Sequence, residues 1–151
     1  MTAKKTAVKK AEVNVPQMPT LYELFETDIE AGEGGKWLEL IPGISFKLRR
    51  FTSTASLNSR RRLLAGLASR VTSDGDIDSK LETELMIEQM AEAIIVDWKG
   101  VADRDGNELA CTYENRKRVL TDLPDVRALL SDHAANIDNY RREQLDAIEK
   151  N

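Results

Sequence analysis

The sequence predicts a mainly α, α+β fold: a helical single domain with a small N-terminal β-hairpin. Three observations lead there. Several long stretches place apolar residues at intervals of three and four, the spacing that puts them on one face of a helix. A single stretch, Ile44, Phe46 and Leu48 alternating with Ser45, Lys47 and Arg49, repeats with the period of two that defines a half-buried strand. Apolar residues make up 41% of the 151 positions but aromatics only 5%, so the core is built from Leu, Ile, Val, Ala and Met.

Residues 1–19 read as a flexible basic tail. In its first fifteen residues Lys4, Lys5, Lys9 and Lys10 stand among Ala, Thr and Val, with no large apolar side chain to bury against a core. Residues 20–151 then form the domain. Thr20 precedes Glu23 by three, the spacing at which a cap hydroxyl and a carboxylate satisfy each other's backbone amides, and a short helix carrying Leu21, Leu24 and Phe25 begins there. Gly32, Gly34 and Gly35 stop helical structure. The hairpin occupies about 37–51: Trp37 to Ile41 is one strand, Pro42-Gly43 the turn, and the alternating stretch the other. Such a pair is marginal alone, so it must pack on helices or join a sheet supplied by another copy.

A helix is expected over Ser56 to Val71, with Leu64, Leu67, Ala68 and Val71 on its apolar face, ended by the Asp- and Gly-containing loop that follows. Ser79 and Glu82 have capping-box spacing, and Ile87, Met90, Ala91, Ile94, Ile95 and Trp98 predict one continuous helix up to Gly100. Asp105-Gly106 marks a tight reversal. A short helix after Thr112 carries Val119 and Leu120. Asp122 is placed to cap a long C-terminal helix, with Pro124 tolerated in its first turn and an apolar face through Val126, Leu129, Leu130, Ala134, Ile137, Tyr140, Leu145 and Ile148.

Charge and composition narrow the function classes. A formal charge of -4 argues against nucleic acid as the main partner, because phosphate-gripping domains are usually strongly basic. No apolar run reaches the roughly 18 residues of a membrane span, and one cysteine cannot make an internal disulfide. The expected location is the cytosol.

Candidate chemistry is sparse. His133, the one histidine, joins the stripe of Leu129, Leu130, Ala134 and Ile137 and reads as a residue at the core boundary. Neither it nor Cys111 has an evident catalytic partner in the sequence. Asp103, Asp105 and Asn107 alternate like the first ligands of a calcium loop, with Glu114 at the twelfth position, but the glycine stands fourth rather than sixth, so an Asp-Gly turn explains the segment better. Arg49-Arg50 and Arg60-Arg61-Arg62 could join in a basic patch, although consecutive helical residues point in different directions. No phosphate loop, metal-ligand pair or nucleophile elbow is present, so catalytic, cofactor and metal residues are all expected to be none.

Two blocks carry a resemblance. Leu24-Phe25-Glu26-Thr27-Asp28, then Gly34 to Leu40 and Ile44 to Arg50, resemble the opening of the tail assembly chaperones of long-tailed bacteriophages. Ile94-Ile95-Val96-Asp97-Trp98-Lys99-Gly100-Val101, followed by Asp105-Gly106-Asn107 and Tyr113-Glu114-Asn115, is similar to that family's middle signature. The resemblance covers about residues 21–149.

It implies a non-enzymatic protein of the host bacterial cytoplasm. Such a protein binds the apolar, helical tape-measure protein, keeps it soluble, promotes polymerisation of the tail-tube protein around it, and then leaves. Many copies would act per client, and a homo-oligomer is possible. Candidate protein-binding residues are Trp37, Phe46 and Phe51 on or beside the hairpin and Tyr140, Leu145 and Ile148 on the last helix, although each reads first as core because apolar stripes usually face the domain interior. The alternative is a minor structural tail protein retained in the virion. A small DNA-binding regulator using the lysines and arginine clusters is a third reading, opposed by the acidic total.

Overall fold

The computed structural model describes residues 18–70 and 78–142. Residues 1–17 of the tail expected over 1–19 and the candidates Leu145 and Ile148 lie outside the described residues. The rest is mainly helical with one small antiparallel sheet, as expected.

Local chemistry sets the first elements. Helix α1 (Leu21–Phe25) starts with the predicted box: the Glu23 N–H donates to the Thr20 hydroxyl at 3.1 Å and the Thr20 N–H to the Glu23 carboxylate at 2.7 Å. Asp28 caps α2 (Ile29–Gly34) by accepting from the Ala31 N–H. Strands β1 (Lys36–Ile41) and β2 (Ile44–Leu48) form the hairpin, turning at Gly43 with a φ of 86°.

The sheet has a third strand. Helix α3 (Thr54–Gly66), capped by Ser53, is followed by a short 3₁₀ turn (Ala68–Arg70) and then, beyond residues 71–77, by α4 (Ser79–Gln89); the expected helix end at Val71 and the loop after it lie outside the described residues. There the single helix expected up to Gly100 breaks. Met90–Ile94 is a π-turn, and Ile95–Lys99 is strand β3, paired antiparallel with β2. The β-branched run Ile94-Ile95-Val96 costs little in a strand, and the open edge of β2 supplies ladder partners that a helix would not use. Two arginines hold the changeover. The Arg49 guanidinium donates to the Ala93 carbonyl at 3.0 Å, and Arg116 Nε donates to the Ala91 carbonyl at 2.7 Å. These carbonyls are ones that the end of a helix leaves without intrahelical partners.

Helix α5 (Tyr113–Asp122) begins where a short helix was expected, just after Thr112, whose hydroxyl caps it by accepting from the Asn115 N–H. Asp122 does not cap the next helix: it is the last residue of α5, and only Leu123 separates it from α6 (Pro124–Ala135). The long C-terminal helix is also shorter than its periodicity implied. Asn136 accepts from the Asp138 N–H and starts a 3₁₀ turn (Ile137–Tyr140), after which Arg141 bridges back to Thr27. Asn side chains favour such turns because they bond backbone nearby.

The core joins the inner sheet face to the π-turn, α5 and α6. Phe46 and Trp98 are cross-strand partners whose rings meet edge to face at 6.0 Å, and Met90, Ile94, Leu120 and Leu130 close the cluster. The buried face of α3 is not the expected leucine stripe. Ser56 and Ser59 are its buried residues, and Gln89 of α4 donates to both the hydroxyl and the carbonyl of Ser56. Small side chains let the helices approach, and the amide satisfies the polar groups thereby buried.

Candidate partner-binding groove

Displacing the leucines of α3 from the core has a consequence at its C-terminal end. Leu63 and Leu67 are half-buried and face Leu85 and Ile87 of α4 across a solvent-open cavity of about 480 Å³, completed by Lys117 and Thr121 of α5. The floor is apolar because Leu85 and Ile87 belong to the buried side of α4.

The walls are charged but internally paired. Arg70 meets Glu84 at 3.1 Å, Arg62 pairs with Glu92, and Lys117 with Glu88. Tyr113 also donates its hydroxyl to Glu88. Burial works to raise the Glu88 pKa, but the bonds from Lys117 and Tyr113 outweigh it and hold the carboxylate below its ordinary value. The same bond, with burial, pushes the Tyr113 phenol up to about 12. The groove thus offers an apolar channel between neutralised rims, suited to an apolar side-chain row flanked by polar groups rather than to a small charged ligand.

A second apolar surface lies on α1, which buries none of its residues. Leu21 is 74% and Tyr22 82% exposed, with Phe25 half-exposed beneath the Arg141 guanidinium at 5.1 Å.

The candidate residues read from sequence do not converge. Phe46 is 4% exposed and Tyr140 1%, so both are core residues: Phe46 faces Trp98, and the Tyr140 hydroxyl donates to the Leu48 carbonyl. Phe51 is half-buried against the core, its N–H bonded to the Ala134 carbonyl. Among the described candidates only Trp37 is exposed, at 36%, on the outer sheet face with Lys99 Nζ 4.2 Å above its ring. The groove residues Leu63, Leu85 and Ile87 were missed as a site. Their signal was an apolar surplus: α3 has leucines for which the buried serine face leaves no room.

The arginine clusters form no joint patch. Arg49 is committed to the carbonyls of Glu33 and Ala93, Arg60 to Glu82, Arg61 to Asn58 and Arg62 to Glu92. Asp103 caps its own loop, accepting from the N–H groups of Asp105 and Asn107. That is the Asp-Gly turn geometry. Among the described residues no three His, Cys, Asp or Glu side chains gather as a metal site. His133 is half-buried on α6. Cys111 is half-buried, and burial pushes its thiol up, away from the reactive thiolate.

The YdaY prophage protein family matches residues 52–151, from the start of α3 onward. The chain belongs to that family. It is therefore a prophage-derived protein, and the YdaY match contains every residue of the groove while leaving out β1 and β2. No curated protein and no solved structure matches this YdaY family member. Among its described residues no helix is long and apolar enough to cross a membrane.

Proposed function

We propose that this prophage protein is a tail assembly chaperone that binds the tape-measure protein in the host cytoplasm, keeps it soluble and promotes polymerisation of the tail-tube protein around it, acting without catalysis. The groove between α3, α4 and α5 is the observation that carries this reading. An extended amphipathic helix exposes more apolar surface than a soluble monomer tolerates. A channel floored by Leu63, Leu67, Leu85 and Ile87 can accept one apolar row of that helix, while Arg70, Glu84 and Lys117 meet its polar flanks. Each buried methylene contributes about 0.8 kcal/mol, so a few side chains give reversible binding. Reversibility matters, because the chaperone must leave as tube subunits close around the client. The sequence resemblance and the prophage family both support the same setting.

Co-expression with the tape-measure protein encoded nearby tests it. The wild-type chain should hold the client soluble and co-elute with it on size exclusion. Leu67→Asp should abolish both, whereas Leu57→Asp, exposed on α3 outside the groove, should not. An insoluble client with the wild type, or full activity of a folded Leu67→Asp chain, overturns the reading. Recovery of the protein from purified mature virions would instead identify a minor structural tail protein.

A further inference from the structure

The sheet has two edges, and they are not equally finished. On β3 the inward side chains Ile95 and Trp98 are buried to 2% and 6% exposure, so that edge is already covered from the core side. On β1 the inward residues Leu38 and Leu40 are only half-buried although they pack on the core, and the outward residues Trp37 and Ile41 are exposed. Natural edges are usually blunted by prolines, by inward-pointing charges or by bulges. On β1 the inward face carries Lys36 only at the first residue, then Leu38 and Leu40, and the bulge stands at the far end, between Glu39 and Ile41, so the middle of the strand has neither device.

We propose that β1 is an association edge, on which a second copy of this chain pairs antiparallel through its own β1 with Leu38 on the dyad. Charge selects that register. Antiparallel partners share a face, so a two-fold pair centred on Leu38 sets Trp37 opposite Glu39 of the second copy. Within one chain Trp37 pairs with Lys47 and Lys47 with Asp97, while Glu39 pairs with Ser45 and Ser45 with Lys99. The outer row across the joint sheet therefore runs Asp97, Lys47, Trp37, then Glu39, Ser45, Lys99 of the second copy, with no like charges side by side. Centring on Glu39 would place two carboxylates directly opposite, which destabilises a sheet. Centring on Trp37 would waste the strand, since β1 starts at Lys36. In the Leu38 register the inward Leu38 side chains meet across the axis and Leu40 gains cover.

This inference is independent of the groove, which lies on the helices. It is a small interface compared with the ~1,600 Å² of standard stable complexes, so association should be weak, with a Kd of roughly micromolar order.

The mass of the full chain by light scattering at increasing concentration, together with cysteine crosslinking in a Cys111→Ala background, tests the proposal. A dimer should appear. Leu38→Cys should crosslink under mild oxidation, because dyad-related Cα atoms would stand about 4.5–5.5 Å apart, within disulfide reach. Glu39→Cys should not, its two copies lying on a diagonal of roughly 7–8 Å. Leu38→Lys should return the protein to monomer while circular dichroism stays unchanged. A wild-type monomer up to about a hundredfold above that micromolar range, a larger closed ring, or crosslinking through Glu39→Cys in preference to Leu38→Cys would overturn it.

Discussion

The Tyr140 hydroxyl donates to the carbonyl of Leu48 at 3.0 Å, joining the last described turn of the chain to the central strand of the sheet. Both residues are fully buried. Through this bond, and through Asp28 N–H to the Tyr140 carbonyl at 2.7 Å, the C-terminal segment ties the sheet to the N-terminal helices.

Tyr140→Phe keeps the ring and removes the donor. It should destabilise the fold by about 1–2 kcal/mol, because it takes a hydrogen bond from a carbonyl that water cannot reach. A urea midpoint that falls without a change in slope is the expected signature.

Alkaline pH should weaken the same fold. Burial pushes Tyr140 up to about 12, and Tyr113 rises to about 12 through its bond to Glu88 and burial. Both folded values lie above the ordinary phenol value of 10.0, so the stabilisation of the neutral form is fully present below pH 10.0 and is lost as pH rises through about 12. Thermal melts across that window should show a falling midpoint, and Tyr113→Phe should flatten part of the fall.

Arg116 should matter more than a surface charge. Its guanidinium donates to the carbonyls of Ala91 and Cys111, both at 2.7 Å, bracing the π-turn before β3. Arg116→Ala should cost about 2–3 kcal/mol, the scale of charge-assisted bonds, and Arg116→Lys should restore only part, since an ammonium lacks the planar fork. Hydrogen exchange should localise the loss to Met90–Lys99.

Gly100 allows β3 to end against the hairpin. Its φ is 80°, and a Cβ there would lie 2.0 Å from the Gly43 carbonyl oxygen. Gly100→Ala should therefore destabilise by about 1–3 kcal/mol through strain at positive φ, with the backbone collision adding to it. Gly106→Ala, at a φ of 84° but with open space around it, should show the conformational part alone.

Much of the architecture was legible because its signals are local. The Thr20–Glu23 box, the Pro42-Gly43 turn, the alternation over Ile44–Leu48 and the short helix after Thr112 each rest on signals within a few residues, and each stands where the sequence puts it. The mainly α class followed from those signals and from the helical periodicities. The binding surface was less legible. Phe46 and Tyr140 attracted attention as aromatics, yet their size is what the core uses, and the groove formed instead from aliphatic residues with no motif.

By itself the sequence determined the hairpin, the Thr20–Glu23 start of α1 and the absence of a recognisable catalytic motif, because turn and cap chemistry is decided by neighbours in the chain; the caps expected at Ser79 and Asp122 fall instead on Asp78 and Leu123. Tertiary structure alone decided three things. Ile95–Lys99 fits helical spacing as well as a strand, and only the free edge of β2 resolves it. The periodic stripe through Ile137 and Tyr140 ends its helix at Ala135, where Asn136 turns the chain so that Tyr140 can reach Leu48. Finally, α3 buries serines against Gln89 and leaves Leu63, with Leu67 just past its end, to the groove, since which face of a helix is inward depends on what it packs against.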